Sequence, residues 1–550
     1  MRHVRTAILA LLSLYVFAPS QAFANGGVCP RPPIGSEIQQ PPDLFSVNGT
    51  LEVSLTYNTS VDDDGRTLFC FVSNDGKLSP TLHVNPGDNV IVHLTNAVPQ
   101  APLGRSEKMT GDTTQCGDAT MTDASVNMHF HGLNIPPKCH ADEVIHTLVN
   151  SGESFDYKFR IPADEPPGLY WYHPHVHGLS SPAVQGGGTG IIEVEGIANI
   201  QPAVSGLPER FIVLRDEPRI GNQLNKPNLK PLPNWDVSVN YVTVPFPDYP
   251  PAIIKMHAST QEFWRVANAA ANTIMDLRLK YDGVDQPLQI VGFDGVPAGS
   301  QDGTRQGVIV TQTGVLLPPA SRVEFIVNPP SADAKSAVLE TESIEGGPAS
   351  DTNPTRPLAQ IQLTDGPTGL LHVPKRNGPP NKQRFENLAD AKVTAQRHLY
   401  FIEIPSKDER NDRLSNSGAR PPADAVKFYI AVEGQQLVQF YPDEPPQVVT
   451  NSGAVEEWTI QNRSPEVHEF HMHQIHFLVQ EVNGVRIAKD QQQFYDTFQV
   501  PYWKGKGRYP YIKVRMDFRG AVVGDFVYHC HILDHEDGGM MAVIRVLPRP

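Results

Sequence analysis

The chain has 550 residues, with 45 basic and 60 acidic side chains and a formal charge of −15. An acidic surface of that kind disfavours nucleic acid and anionic membranes as partners. The length exceeds what one hydrophobic core can serve and implies about three or four domains.

Arg2 and Arg5 precede an apolar run from Ala7 to Phe17, and Ala22-Phe23-Ala24 forms a small-x-small cleavage pattern. Residues 1–24 therefore read as a secretory signal, so the chain is expected to be exported, to the periplasm or the extracellular space. With no twin-arginine pair, the general export route is expected. Its removal takes away two arginines and no carboxylate, leaving −17. No other run approaches the ~20 apolar residues of a membrane span.

Helical periodicity is scarce beyond this point. Short alternating runs bounded by Gly, Pro, Asn and Asp recur instead, in keeping with 51 prolines and 43 glycines, so the chain is expected to be all-β. Asn89–Asn96, Gln261–Asn268 and Val455–Asn462 look like copies of one strand, each ending on Asn. Ser154–Arg160, Arg322–Val327 and Tyr511–Met516 look like copies of a second. Recurrence of the pair predicts three related Greek-key β-sandwich domains. Their expected limits are 25–200, 201–395 and 396–550, the second opening near Glu209–Leu214 and the third near Arg397–Phe401. The polar stretches Ser343–Pro357 and Arg410–Asp424 read as loops or linkers.

Four clusters carry the chemistry: His129-Phe130-His131, His173-Pro174-His175, His468-Glu469-Phe470-His471-Met472-His473, and His529-Cys530-His531 followed by His535 and Met540. On a strand, His-x-His sends both imidazoles to one face, and Cys530 between His529 and His531 points to the other. Thiolate, imidazole and a weak axial thioether form the ligand set of a blue electron-transfer copper. Of five cysteines, Cys530 belongs to this motif, leaving Cys29, Cys70, Cys116 and Cys139 for two disulfides in one of three pairings. Local loop closure favours Cys116 with Cys139 and Cys29 with Cys70.

The four motifs, their order and their placement near the two ends resemble the multicopper oxidases, the family of laccases and their relatives. The resemblance spans essentially the whole chain and implies three cupredoxin-like domains. It also implies four coppers, with a trinuclear site where the first and third domains meet. His468, Cys530 and His535 match the equatorial ligands of the type 1 copper, with Met540 axial. His129 and His471 match the type 2 ligands, and His131, His173, His175, His473, His529 and His531 match those of the type 3 pair. Glu536 and Asp142 resemble acidic residues that deliver protons; a plain loop carboxylate is the other reading of Asp142. Glu469 departs from the usual proline of the family and Ile475 from a further histidine. His177 would extend its strand face as a neighbour of the ligands, and His140, His146 and His476 match no role.

The implied activity is one-electron oxidation of phenols or aromatic amines, coupled to reduction of O2 to water, in a chain expected to be monomeric. Electrons would enter at the exposed edge of His468 or His535. Ferrous, manganous or bilirubin oxidation are alternatives. The metal-ion reading would need carboxylates such as Glu469, Asp534 or Asp537 at the rim of the blue site. Ten scattered methionines with no Met-rich insertion speak against a cuprous oxidase. A copper nitrite reductase would resemble two domains and lack the full cluster set, and a non-catalytic cupredoxin relative would have lost the ligands.

Overall fold

The computed structural model describes residues 27–100, 106–108, 116, 120–219, 233–300, 307–370, 372–374, 384–405, 426–520 and 522–549. The expected signal and the Arg410–Asp424 linker lie outside them. Regular secondary structure among the described residues is almost entirely strand, assembled in three pairs of sheets of cupredoxin-like type beside a small two-stranded sheet. One pair spans residues 43–194, a second 209–364 and a third 395–547, and each encloses its own apolar core.

The recurring strand pair marks the same place in each. Asn89–Asn96 runs antiparallel to Ser154–Arg160, Glu262–Asn268 to Arg322–Val327, and Val455–Asn462 to Tyr511–Asp517. Alternation explains the first of these, since Val90, Val92 and Leu94 are buried while the residues between them are half-exposed or exposed. Burying each such side chain is worth about 1.5–3 kcal/mol.

The terminal asparagine has a physical reason too. Asn96 Nδ2 donates to the carbonyls of Ala124 and Val149, Asn268 Nδ2 to Thr273 and Leu317, and Asn462 Nδ2 to Glu466 and Val500. In each case Oδ1 accepts the amide two residues on. One buried amide thus satisfies the chain where it leaves the sheet, three times over.

Between the first two sandwiches, Leu169, Trp171 and Ile191 pack on Phe211 and Val213. Arg322, fully buried, ties all three: Nε donates to the carbonyl of Leu169 (3.0 Å), Nη2 to that of Asp294 (2.9 Å), and both terminal nitrogens to Asp496 (2.8 and 2.7 Å). Cys29 meets Cys70 and Cys116 meets Cys139 as disulfide-distance pairs, with Cα separations of 5.6 and 5.2 Å. No helix among the described residues is long and apolar enough to cross a membrane.

Candidate metal centres

Strand register sorts the C-terminal histidines into two groups. His468–Met472 lies antiparallel to Gly524–Cys530, with Phe470 opposite Cys530 and His471 opposite His529. Opposed residues share a face and successive residues alternate. His468 and Cys530 therefore look into the third sandwich, while His471 and His529 look out of it. In the first sandwich His131 lies opposite Trp171 and His129 opposite His173, which puts both imidazoles of that strand on one face.

The two outward faces meet. His129 stacks on His473 at 3.9 Å between ring centroids and His131 on His471 at 4.1 Å. His531 lies 5.1 Å from His131 and 5.7 Å from His173. His529 Nε2 is 3.2 Å from His473 Nε2 and 3.4 Å from His175 Nε2. Eight buried imidazoles from widely separated segments thus form one cage.

Its chemistry suits metal ions. His129 Nε2, His131 Nδ1, His173 Nε2, His471 Nε2, His473 Nδ1 and both nitrogens of His531 are buried without a hydrogen-bond partner. Such orphans are costly unless something binds them. Burial first, and neighbouring imidazoles second, hold His175, His471, His473 and His531 well below the usual histidine range, which leaves neutral rings with free lone pairs.

Surrounding groups orient the rings. His173 Nδ1 donates to the Pro174 carbonyl (2.9 Å), His529 Nδ1 to the Cys530 carbonyl (3.0 Å) and His471 Nδ1 to the Asp496 carbonyl (2.8 Å). Asp142 is buried, bonded to His129 Nδ1 at 2.9 Å, to the Phe130 amide at 2.9 Å and to Gln474. It is no solvated loop carboxylate. Glu536 is also buried, accepting from Ser180 Oγ (3.1 Å), with its oxygens 3.7 Å from His175 Nδ1 and 3.6 Å from His529 Nδ1. Such partners fix tautomer and ring direction.

The second group is compact. Cys530 Sγ lies 3.6 Å from His468 Nδ1 and 3.7 Å from His535 Nδ1, and accepts from the Glu469 amide at 3.4 Å. The turn after Cys530 contains the short helix Leu533–Asp537 and returns Met540 beside it, where the Cys530 amide donates to the Met540 carbonyl (3.1 Å). Met540 is buried in the same apolar cluster as Cys530.

Two expectations need correction. His468 and His535 have no exposed edge: both are buried, with Nε2 facing Glu403 Oε1 at 3.2 Å and Glu466 Oε1 at 3.3 Å. The carboxylates facing these rings are Glu403 and Glu466; sequence alone placed none of Glu469, Asp534 and Asp537 there, and each has partners elsewhere. Glu469 accepts from Gln499, Asp534 binds Ser181 Oγ, and Asp537 accepts the amides of Gly178, Ser180 and Ser181. Nor does His177 continue a strand face, because the strand ends at His173, before a proline that lacks an amide for the ladder. Its ring meets Phe440 at 5.0 Å.

His476 is buried on the Asp294 carbonyl (2.8 Å), His140 bonds the Asp156 carbonyl (2.6 Å), and His146 pairs with Glu143 (3.3 Å). Sequence reasoning missed Asp496 and Arg322. Asp496 Oδ1 is 3.3 Å from His131 Nε2. Neither stands in a motif, and only the fold joins them.

Cupredoxin-like sandwiches that bury a cysteine with two imidazoles, beside a cage of eight more, define a copper-binding oxidoreductase. Two models of the multicopper oxidase family match residues 109–198 and 417–550. It is 22% identical to the multicopper oxidase mco of Staphylococcus haemolyticus over 86% of this chain and 83% of that protein. A laccase of Haloferax volcanii is 23% identical over 84% of this chain and 75% of its own. Among solved structures, a Campylobacter jejuni multicopper oxidase, a metallo-oxidase, matches 97% of this chain and 99% of its own at 21% identity, with a TM-score of 0.65. A laccase-like enzyme of Ochrobactrum matches 93% and 100% at 20% identity, with a TM-score of 0.63.

Proposed function

We propose that the chain holds four coppers and couples one-electron oxidation of a small reductant to four-electron reduction of O2 to water. The supporting observation is the convergence of orphaned imidazole nitrogens from four separate motifs on one buried cage. His468, Cys530, His535 and Met540 would hold the type 1 ion. His129 and His471 would hold the type 2 ion, and His131, His173, His175, His473, His529 and His531 the type 3 pair. Bound copper would supply one-electron transfer at the sulfur site and O2 reduction at the cage.

The chain's own residues link and serve the two centres. Cys530 is covalently joined to His529 and His531, so the connection runs through bonds alone. Asp142 orients His129. Burial first, and Asp537 second, push the Glu536 carboxyl well above the usual range, which favours its protonated form within reach of His175 and His529. Glu536→Gln is expected to lower oxygen uptake by about 100-fold, a typical share for a positioned proton donor, with the blue band retained. Unchanged turnover would remove Glu536 from the mechanism.

For the reductant, Glu403 and Glu466 favour a low-valent cation, ferrous or manganous, over a neutral phenol. Both are nearly buried, with 7% of each side chain exposed, and they bind the outer nitrogens of the two blue-site imidazoles. Two carboxylates there would attract a dication by several kcal/mol at an effective dielectric of about 20, and would give a phenol nothing comparable. Phenols, aromatic amines and bilirubin form the second reading, supported by the laccases among the relatives. Oxygen uptake on ferrous ion, manganous ion, a phenol and bilirubin separates these. Glu403→Gln with Glu466→Gln is expected to raise KM for the metal ion by about 10-fold or more while sparing the phenol. A parallel loss on both would reject the cation site.

The domain limits 25–200, 201–395 and 396–550, a monomeric state and export through residues 1–24 belong to the same proposal, with O2 and a small reductant as the partners.

A further inference from the structure

The face that carries His129, His131 and His173 continues along its sheet to a second cluster that none of the copper motifs includes. Strand order there places Thr81–Val84 and Gly190–Val194 beyond Gly168–His173, with His83 in register with Glu193. Leu82 and Val84 point into the core, so His83 and Glu193 point out of it, towards the second sandwich. His372 and Glu195 complete the group, and the four ligand atoms lie within 4.8 Å of one another.

We propose that His83, Glu193, Glu195 and His372 bind one divalent transition-metal ion in tetrahedral geometry, with zinc the ion that this donor set fits. His83 Nδ1 is 3.1 Å from Glu193 Oε2 and 3.1 Å from Glu195 Oε1; His372 Nε2 is 3.8 and 3.3 Å from the same two oxygens. A tetrahedral ion with bonds of about 2.0–2.1 Å holds its ligand atoms about 3.3 Å apart.

Three further features support it. Glu193 is fully buried and neither of its oxygens accepts a hydrogen bond, although Oε1 is ion-paired with Arg265; His372 Nε2 and Glu209 Oε2 lack hydrogen bonds as well. His83 Nε2 bonds Asp43 Oδ1 at 3.0 Å, the carboxylate–histidine arrangement that fixes a ligating ring, here with Nδ1 turned towards Glu193 and Glu195. Carboxylates outnumber the guanidinium: Glu193, Glu209 and Glu324 all pair with Arg265, Glu324 at 2.6 Å, and Glu209 Oε2 also lies 3.0 Å from His372 Nε2. Entry is open at Glu195 and His372, 23% and 18% exposed, beside the half-exposed ring of Phe45 stacked on His83 at 4.2 Å.

The competing occupant is a proton. Burial opposes protonation of His83, but Asp43, Glu193 and Glu195 outweigh it and lift the ring to about 11 in the absence of an ion. The two occupants differ in what they leave behind.

The ion would clip the first sandwich to the segment that follows the second, where the Glu209 amide donates to the His372 carbonyl at 3.1 Å. Copper-loaded full-length protein, dialysed against micromolar zinc chloride and then against zinc-free buffer, is expected to retain one zinc per chain in addition to its copper. His372→Ala and Glu195→Gln, at partly exposed positions, are expected to lose that zinc with copper content and the blue band unchanged. Asp43→Asn is expected to weaken zinc binding by about 10- to 100-fold. Failure of the unmodified protein to retain zinc, or full retention by both ligand variants, would overturn the site in favour of a protonated ion-pair cluster.

Discussion

Cys530→Ser is expected to abolish the blue absorption band and the oxidation of every reductant, while the chain still folds. On the proposed ligand set the thiolate is the one sulfur anion of the blue site and the atom through which it connects to the cage. A serine hydroxyl, which does not ionise at neutral pH, replaces neither role. Folding survives because Cys530 sits on a strand paired on both sides, between His468–Met472 and Met541–Leu547. Burying a hydroxyl in the apolar cluster that holds Cys530 costs about 1–3 kcal/mol, and the Glu469 amide that meets the sulfur offers it a donor. Absorbance, oxygen uptake and circular dichroism check the three parts. Normal turnover in a colourless variant would remove Cys530 from the electron path, and an unfolded variant would show that the sulfur matters to packing as well.

The proposed copper ligands were legible because each His-x-His or His-Cys-His run states its own geometry: period two assigns a face before any fold is known. The three sandwiches were legible for a related reason, since the strand ending at Asn96, Asn268 and Asn462 meets the same local need each time. What stayed hidden lies across sheets. Glu403 belongs to the strand Ala395–Pro405 and Glu466 to the turn before His468, and only packing brings them onto the outer nitrogens of His468 and His535. Arg322 opens the strand Arg322–Val327 and Asp496 sits between two short strands, 174 residues away, and their meaning appears only when one guanidinium reaches all three sandwiches. His83 and Glu193 are joined by parallel register, a relation that sequence spacing does not encode. The exposed imidazole edge failed as an expectation for the same reason. A strand's own pattern says which face a ring occupies, and nothing about what a distant element lays over it.

His131→Ala is expected to separate the two halves of the reaction. The variant should keep a blue copper that a reductant bleaches, yet oxygen uptake should fall to background. His131 lies in the first sandwich, whereas His468, Cys530, His535 and Met540 all lie in the third, so its loss leaves the blue site untouched. Within the cage its ring stacks on His471 and lies 5.1 Å from His531, and its removal takes one imidazole from a proposed three-histidine ligand set. The fold should persist, because Asp496, which loses His131 Nε2 as a neighbour, keeps both hydrogen bonds from Arg322. The cavity costs a few kcal/mol at most, by analogy with large-to-small changes in cores. Stopped-flow bleaching under anaerobic conditions, followed by mixing with oxygenated buffer, reads both halves in one sample. Prompt return of the blue colour together with normal oxygen uptake would show that His131 is not part of the oxygen-reducing centre.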